Sequence, residues 1–372
     1  MSETKLLILI YESSIIFMML IQLILPNLSR RGLMLGVSIP EDHQDDPEFK
    51  REIVSYRKMV ILLGLLFAVI LFGVVYLFPK RFSLHTIALI VLILLLYYPL
   101  YHYHNRLRNL KESKKIVDEV KTVTVDINLS KNKLSMASAG LYLYTIPFIM
   151  IVLGIAYNVI EYENYPDLIP MHYDSRGIAD GFSTKSVFNV AMPMLFIIFM
   201  ILTMFVANIG ILMGKQKLDS EHPEDSLRRF LKSRRIWTYY FVGISVILII
   251  TLGYPMIYMA RFNITEAGYF LPFTLIVSLF IIIVTLIISF KVGTVGERLV
   301  SSKSRRPVSE ESDEYWKVGG LIYYNPNDPA VFVAKRIGIG YSINLATMAG
   351  KLIIFSILLM VFIPIIYFTL NP

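Results

Sequence analysis

The sequence predicts an all-α polytopic membrane protein of about eight transmembrane helices with a small cytoplasmic β-hairpin or sheet. Of its 372 residues, 55% are hydrophobic and only 17% are charged, whereas about a quarter of a soluble domain is charged. A bilayer core is crossed by about 20 mostly apolar residues. Eight runs of this kind occur, at roughly 5–25, 59–78, 84–103, 141–161, 187–213, 236–259, 269–291 and 347–369.

The distribution of lysine and arginine predicts the orientation of these spans. The loops after the first, third, fifth and seventh spans carry 29 basic residues, and the other three loops carry 5. Because basic loops stay in the cytoplasm, we expect a multi-pass plasma-membrane protein with both termini outside. The basic residues of the cytoplasmic loops then account for the net charge of +8. The expected partner is therefore the lipid bilayer, and we expect no nucleic-acid partner.

The spans and loops divide the chain into five predicted parts. An N-terminal three-helix region with cytoplasmic loops covers 1–140. A helix pair with an extracellular motif loop covers 141–215, and two further spans cover 216–300. The last two parts are a cytoplasmic hairpin motif at 301–346 and the final span at 347–372. Cysteine is absent, which excludes disulfides and thiolate metal sites.

The sizeable outward loop, 161–185, contains the candidate ligand-binding residues. Its prolines set the entry, and its glycines permit tight turns. A histidine and two aspartates within nine residues would suit a divalent cation. In the alternative interpretation the aspartates bond the loop's own backbone as turn residues. The candidates for ligand binding are Pro170, His172, Asp174, Gly177, Asp180, Gly181 and Lys185, with His172, Asp174 and Asp180 as the metal candidates. No catalytic residue and no resident cofactor are predicted.

The last inner loop contains a second motif. Strand-like segments at 316–324 and 331–343 flank turn chemistry at 325–329, which predicts one hairpin. The alternation at 121–129 predicts a partner strand. We expect the glycines of this motif to occupy turn and packing positions, and its basic residues to lie at the membrane surface. In the alternative interpretation, the basic residues bind a phosphate or an anionic lipid head group. The motif residues are Trp316, Gly319, Gly320, Tyr324, Asn325, Pro326, Asp328, Pro329, Lys335, Arg336, Gly338 and Gly340.

Glu12 is an ionisable residue inside the first predicted span. Such a group costs a few kcal/mol, about 2.5–3.5 at a helix centre, unless it faces a partner or a cavity. It is therefore the intramembrane polar candidate, and it would lie in the path of a transporter.

Two resemblances rest on these motifs. The pattern P-x-x-I-P-x-H-Y-D-x-x-G-x-x-D-G-x-x-x-K, from Pro166 to Lys185, resembles domain of unknown function 1648. That domain occurs in SdpI-type membrane proteins, which include bacterial immunity proteins against toxic peptides. The usual form has an asparagine-like residue where Asp174 stands. The run from Trp316 to Pro329, with the basic and glycine residues up to Gly340, resembles domain of unknown function 5808.

Three functions are compatible with the sequence. The resemblance implies a bacterial protein that binds a peptide or an envelope-stress agent at the outer loop, for immunity, protection or signalling, with a cytosolic regulator as a partner of the inner motif. The alternatives are a membrane-embedded, metal-assisted enzyme and a transporter of a small solute or peptide. We favour the first, because two discrete motifs lie on opposite faces while the spans contain few charges.

Overall fold

The structure is a computed structural model that describes residues 3–29, 32–116, 140–174, 176–213, 223–294, 296, 298–299, 312–338 and 340–370. The chain divides into two compact units. The first comprises 1–124, 214–223 and 300–372, and the second comprises 125–213 and 224–299. The strand predicted at 121–129 lies outside the described residues.

The described part of the chain is mostly helical, with short antiparallel strand pairs. Its helices are α1 (Glu3–Leu28), α2 (Glu41–Gln44), α3 (Pro47–Leu77), α4 (Phe82–Leu96), α5 (Tyr98–Ser113), α6 (Thr145–Ile160), α7 (Val187–Met213), α8 (Pro223–Leu248), α9 (Tyr254–Arg261), α10 (Phe270–Val292) and α11 (Met348–Leu370). A π-helical stretch, Ile249–Gly253, joins α8 to α9. The strands pair as β1 (Leu33–Met34) with β2 (Val37–Ser38), β3 (Leu168–Tyr173) with β4 (Ala179–Thr184), β5 (Trp316–Lys317) with β6 (Ile322–Tyr323), and β7 (Phe332–Ala334) with β8 (Tyr341–Ile343).

The helices are long and apolar enough for a multi-pass membrane protein. Within the described residues, seven helical segments qualify as spans: Leu7–Leu28, Pro47–Leu77, Leu84–Ser113, Leu141–Ile160, Val187–Gly210, Glu224–Arg261 and Phe270–Val292. They coincide with the first seven predicted spans, and α11 covers the eighth. On α10, Leu275, Ile276 and Leu279 are 61%, 68% and 57% exposed. Apolar surfaces of this extent suit a bilayer rather than water.

The first unit contains several apolar cores, one of which lies within strands β5–β8 around Trp316, Tyr323 and Val333, and two of which involve its helices. One contains Ile15 of α1, Leu71 of α3 and Leu96 of α4, all fully buried. The other lies where the β1–β2 turn packs on α3 and α5. There the fully buried Tyr56 donates its hydroxyl proton to the backbone carbonyl of Gln22 at 2.8 Å. Strands β5–β8 belong to this unit as well, and we call them the strand module.

The second unit packs α6 and α7 against the π-helical stretch and α9. Ile197 and Ile201 of α7 are buried and pack against Ile249, the first residue of the π-helical stretch. On α8, Trp237 donates from Nε1 to the Gly293 carbonyl at 3.0 Å, which satisfies a buried indole. The β3–β4 hairpin follows α6 and precedes α7, so helices anchor both of its ends.

The single hairpin predicted in the last inner loop is wrong in its connectivity. The module contains two hairpins, β5–β6 and β7–β8, and residues 325–329 connect one to the other. The chain reverses instead at Val318-Gly319-Gly320, with φ angles of 49°, 63° and 82°, and around Gly338 and Gly340, with φ angles of 73° and 101°. The four glycines adopt positive φ without a steric penalty, whereas Val318 has a positive φ that is uncommon for a residue with a side chain.

Candidate functional site

The motif at 161–185, predicted to face outward, folds as the β3–β4 hairpin. Its register pairs Leu168 with Thr184, Pro170 with Phe182 and His172 with Gly181, and it shifts on both sides of His172. Such irregularities re-aim side chains and recur beside functional sites. Of the prolines and glycines predicted to set the entry and the turns, Pro170 and Gly181 lie within this irregular strand pair, and Gly177 lies at its tip.

The base of the hairpin is held by an apolar core. Ile169 is fully buried and packs with Tyr165, Val190 of α7 and Ala260 of α9. Lys185, one of the predicted ligand-binding residues, donates to the carbonyl of Glu163 at 2.9 Å. Its role in the structure is to close the base of the hairpin.

Asp174 builds the turn at the tip. Its Oδ1 accepts the backbone N–H groups of Arg176 at 2.8 Å and Ile178 at 2.9 Å. Its Oδ2 accepts from Arg176 Nε at 2.9 Å. The Ile178 N–H is the main reason that the pKa of Asp174 lies below its usual value, with the Arg176 contacts adding to the effect. This carboxylate serves the loop's own backbone, as the alternative interpretation of the sequence proposed.

The tip docks on the segment between α9 and α10. Ala267 N donates to the Gly177 carbonyl at 2.7 Å, and Ala179 N donates to the Thr265 carbonyl at 2.8 Å. Gly177 has φ +80°, and a Cβ there would lie 2.5 Å from Gly268 Cα. Only glycine fits this contact. The hairpin is therefore fixed at its tip as well as at its base.

His172 and Asp180 form a pair on the exposed surface of the hairpin. Nδ1 of His172 lies 2.5 Å from Oδ1 of Asp180, with the two side chains 71% and 48% exposed. Gly181 makes room for the pair, since a Cβ there would lie 2.9 Å from the Cβ of His172. The large apolar side chains Leu168, Met171 and Phe182 of the same two strands are also exposed. The hairpin thus presents an exposed histidine–carboxylate pair and several exposed apolar side chains on the same two strands.

The structure brings together two of the three metal candidates. Asp180 joins His172, but the carboxylate of Asp174 is engaged by the tip. Across the described residues, no group of three or more histidine, cysteine, aspartate or glutamate side chains is placed to hold a metal ion.

An ion pair between Glu161 and Arg261 stabilises the chain where it leaves α6 and enters the hairpin. Glu161, just after α6, accepts from Arg261 Nη2 at 2.8 Å and Nε at 3.0 Å. These bonds lower the pKa of Glu161, and a further bond from Asn164 contributes. Burial raises the pKa of the neighbouring Tyr165 hydroxyl to about 12, and this hydroxyl donates to Asn158 Oδ1 at 2.8 Å.

The strand module has a buried ionic cluster at its centre. Arg336 is fully buried and donates to Asp313 and, at 3.1 Å, to the Gly36 carbonyl. Lys111 of α5 donates to the other carboxylate oxygen of Asp313 at 2.7 Å. Burial alone would raise the pKa of Asp313, but Arg336 and Lys111 outweigh it and the pKa is lowered. The cluster joins three segments that are far apart in the sequence.

Asn344 organises the connection between the two hairpins of the module. Its Oδ1 accepts from Asn325 N at 3.1 Å, and its Nδ2 donates to the carbonyls of Asn325 at 3.0 Å and Asp328 at 2.9 Å. Tyr323 donates from its hydroxyl to Asp328 Oδ2 at 3.0 Å. The turn chemistry predicted at 325–329 is thus a satisfied buried network.

The surface position expected for Arg336 is wrong. Its guanidinium is part of the core and lies 5.4 Å from the centre of the Trp316 ring. Lys335 is partly buried, and burial lowers the pKa of its amine. A Cβ added to Gly319 or Gly320 would lie about 3 Å from neighbouring side chains. A Cβ on Gly340 would meet nothing within 4 Å, and there the positive φ of 101° is the reason for glycine. Pro326, Pro329 and Tyr324 complete the connection.

Asp313 and Lys111 were not among the residues predicted from the sequence; Asp313 is the carboxylate partner of Arg336, and Lys111 donates to the same carboxylate. Neither lies in a patterned motif: Asp313 ends a polar linker, and Lys111 is one of many basic residues beside a span. Their meeting depends on the tertiary structure. The intramembrane candidate Glu12 is partly buried, and one of its carboxylate oxygens is enclosed without a hydrogen-bond partner among the described residues.

Comparisons with known families agree with both motif resemblances. Residues 149–197 match a domain of unknown function, DUF1648. Residues 326–351 match a family of unknown function, DUF5808. No curated protein and no solved structure matches the chain significantly. The chain is a membrane protein that carries regions similar to these two domains, and the SdpI-type assignment stays a prediction.

Proposed function

We propose that this chain is an SdpI-type plasma-membrane protein that binds a peptide at the β3–β4 hairpin, for protection or signalling. The observation that supports the proposal is the exposed His172–Asp180 pair on a hairpin fixed at its base and its tip. Binding residues are commonly held on loops by a rigid scaffold. Here an ion pair, a buried apolar core and backbone hydrogen bonds supply the scaffold.

The surface of the hairpin suits an amphipathic peptide. His172 uses Nδ1 for Asp180, which leaves its Nε2 to donate to or accept from a ligand. The exposed apolar side chains Met171 and Phe182 belong to the same two strands and suit apolar peptide side chains. Asp174, Gly177 and Lys185 act as supports of the hairpin rather than as contacts to the peptide.

The metal-assisted enzyme and the transporter have less support. A metal enzyme needs more ligands than the two that meet on the hairpin. A transporter normally carries more intramembrane polarity than the enclosed carboxylate of Glu12. We therefore take the peptide-binding function as the best supported of the three.

The decisive experiment compares two kinds of hairpin variant. In a deletion strain challenged with secreted antimicrobial peptides, His172→Ala and Asp180→Ala should abolish complementation while membrane abundance and melting temperature stay near the parent's. Thr184→Ala, at an exposed position of the same hairpin, is the matched control and should complement fully. If the pair variants lose stability in step with activity, His172 and Asp180 merely shape the loop and the proposal fails.

The proposal also requires the hairpin outside the cell and the strand module inside. Because the chain has no cysteine, single cysteines report topology without background. Thr184→Cys should react with an impermeant thiol reagent in intact cells, and Lys317→Cys, also exposed, should react only after lysis. The reverse pattern would overturn the orientation with both termini outside.

A further inference from the structure

A cavity of about 440 Å³ lies in the second unit, between α6 and α9. Its size falls within the roughly 300–1,000 Å³ of typical small-molecule pockets, and the proposed peptide function makes no use of it. It is lined by Leu153, Gly154, Tyr157, Tyr254, Ile257 and Tyr258.

The cavity has firm walls. Gly154 contributes no side chain, and a Cβ there would lie 2.9 Å from Met194 Cε and 3.5 Å from the Tyr254 ring. Tyr254 is held in place because its hydroxyl donates to the Met150 carbonyl at 3.0 Å. The π-helical stretch Ile249–Gly253 immediately precedes α9, and such insertions frequently occur at functional sites. The hollow is therefore built into the packing of these helices.

The exposed lining residues of the cavity belong to two membrane-span segments. At its rim, Leu153, Tyr157 and Tyr258 are 60%, 38% and 53% exposed. They belong to the membrane-span segments Leu141–Ile160 and Glu224–Arg261. The lining contains no Asp, Glu, Lys or Arg. An apolar hollow on membrane-span segments suits an apolar ligand that comes from the bilayer.

We propose that this cavity binds one acyl chain of a membrane lipid. Leucine and isoleucine line it for an apolar chain, and the tyrosine hydroxyls at the rim suit the polar end of such a lipid. One turn further along α9, Arg261 is already paired with Glu161 at 2.8 Å. Because this arginine is already neutralised by Glu161, the site binds the acyl chain and does not select an anionic head group.

The site is connected to the hairpin through α9. Ala260 of α9 packs with Ile169 at the hairpin's base, and the segment that follows α9 holds the tip. A bound chain braces this helix, and its binding does not depend on whether the hairpin recognises a peptide.

Photolabelling in nanodiscs of phosphatidylcholine tests the proposal. The probe is a phosphatidylcholine with a diazirine in its acyl chain, and labelled residues are located by mass spectrometry. Helix α10, none of whose membrane window is buried, reports the background of ordinary lipid contact. We expect residues 153–157 and 254–258 to be labelled several-fold above α10.

Filling the cavity should remove this excess. Leu153→Trp is expected to reduce labelling of α9 to the α10 level. The matched control is Val152→Trp, since Val152 is 46% exposed on the same helix but does not line the cavity. This control should leave the labelling unchanged. Should Leu153→Trp fail to fold, Tyr258→Ala removes one wall and should also lower the excess.

Two results would overturn the proposal. Labelling at the cavity no higher than on α10 would show ordinary lipid contact without a site. Enrichment only with a phosphatidylglycerol probe of the same acyl chain would show that the head group, not the cavity, determines binding. Equal enrichment with both probes supports an acyl-chain site.

Discussion

The β3–β4 hairpin and the strand module contain the two motifs of this chain, and they use their polar residues in opposite ways. In the module, Arg336 and Asn344 are fully buried and bonded to other parts of the same unit. On the hairpin, His172 is paired with Asp180 but stays 71% exposed. A motif in the sequence therefore does not say whether its residues build the fold or meet a ligand.

The two motifs differ in how much of the surrounding fold packs against them. The module lies against α5 and the β1–β2 turn, which supply Lys111 and the Gly36 carbonyl as partners. Buried charges require such partners, because an unpaired one is expensive. The hairpin packs at its base and its tip, while His172, Asp180 and Phe182 between them are exposed. Function is to be sought in the middle of the hairpin.

The largest effect is expected at the centre of the module. Asp313→Ala leaves Arg336 and Lys111 as buried cations without their carboxylate, and removing one partner of a buried ion pair costs about 3–5 kcal/mol. Thermal unfolding of the purified protein in detergent should show a clear loss of stability. Lys317→Ala, at an exposed position of the same module, is the control. A melting temperature for Asp313→Ala equal to that of Lys317→Ala would show that the cluster contributes nothing.

A smaller effect is expected at the tip of the hairpin. Gly177→Ala places a Cβ 2.5 Å from the backbone of Gly268 at φ +80°, and strain of this kind costs about 1–3 kcal/mol. Gly243→Ala is the matched control, since its Cβ would meet nothing within 4 Å. Hydrogen exchange of residues 168–184 should increase in the first variant only. Unchanged protection would show that the tip is not docked.

Acid should loosen the hairpin. The pKa values of Asp174 and Glu161 are lowered in the folded protein, by the Ile178 N–H and by Arg261 respectively. Their contribution to stability is therefore complete above the unfolded-state values of about 3.9 and 4.3 and disappears as the pH falls through the lowered folded values. The protection factors of the hairpin amides, corrected for the intrinsic exchange rate at each pH, should fall below about pH 4. Asp174→Asn should weaken this pH dependence; an identical profile in the variant would exclude Asp174 as a contributor.

The smallest effect on stability is expected at the exposed pair. His172→Ala removes a contact between exposed side chains, and such ion pairs contribute little. Its melting temperature should match that of Thr184→Ala. A loss comparable to that of Gly177→Ala would mean that His172 is part of the scaffold, and the contrast between hairpin and module would disappear.

Much of the fold was predictable because it follows from local composition. The positions of the first seven spans agree with the helices found, since an apolar run of about 20 residues in a bilayer has few alternatives to a helix. The turns of the module were predicted less well. The turn chemistry at 325–329 was recognised, but Asn344, nearly twenty residues later in the sequence, bonds that segment into the core.

By itself the sequence determined the membrane class, the approximate spans and the two motif segments, because these depend on local hydropathy and on glycine and proline positions. The tertiary structure decided which motif residues are available. It buried Arg336 beside Asp313, used Asp174 to close a turn, and left His172 beside Asp180 on the surface. Those outcomes depend on partners distant in the chain, and hydrogen-bonding and burial requirements are satisfied only when the segments meet.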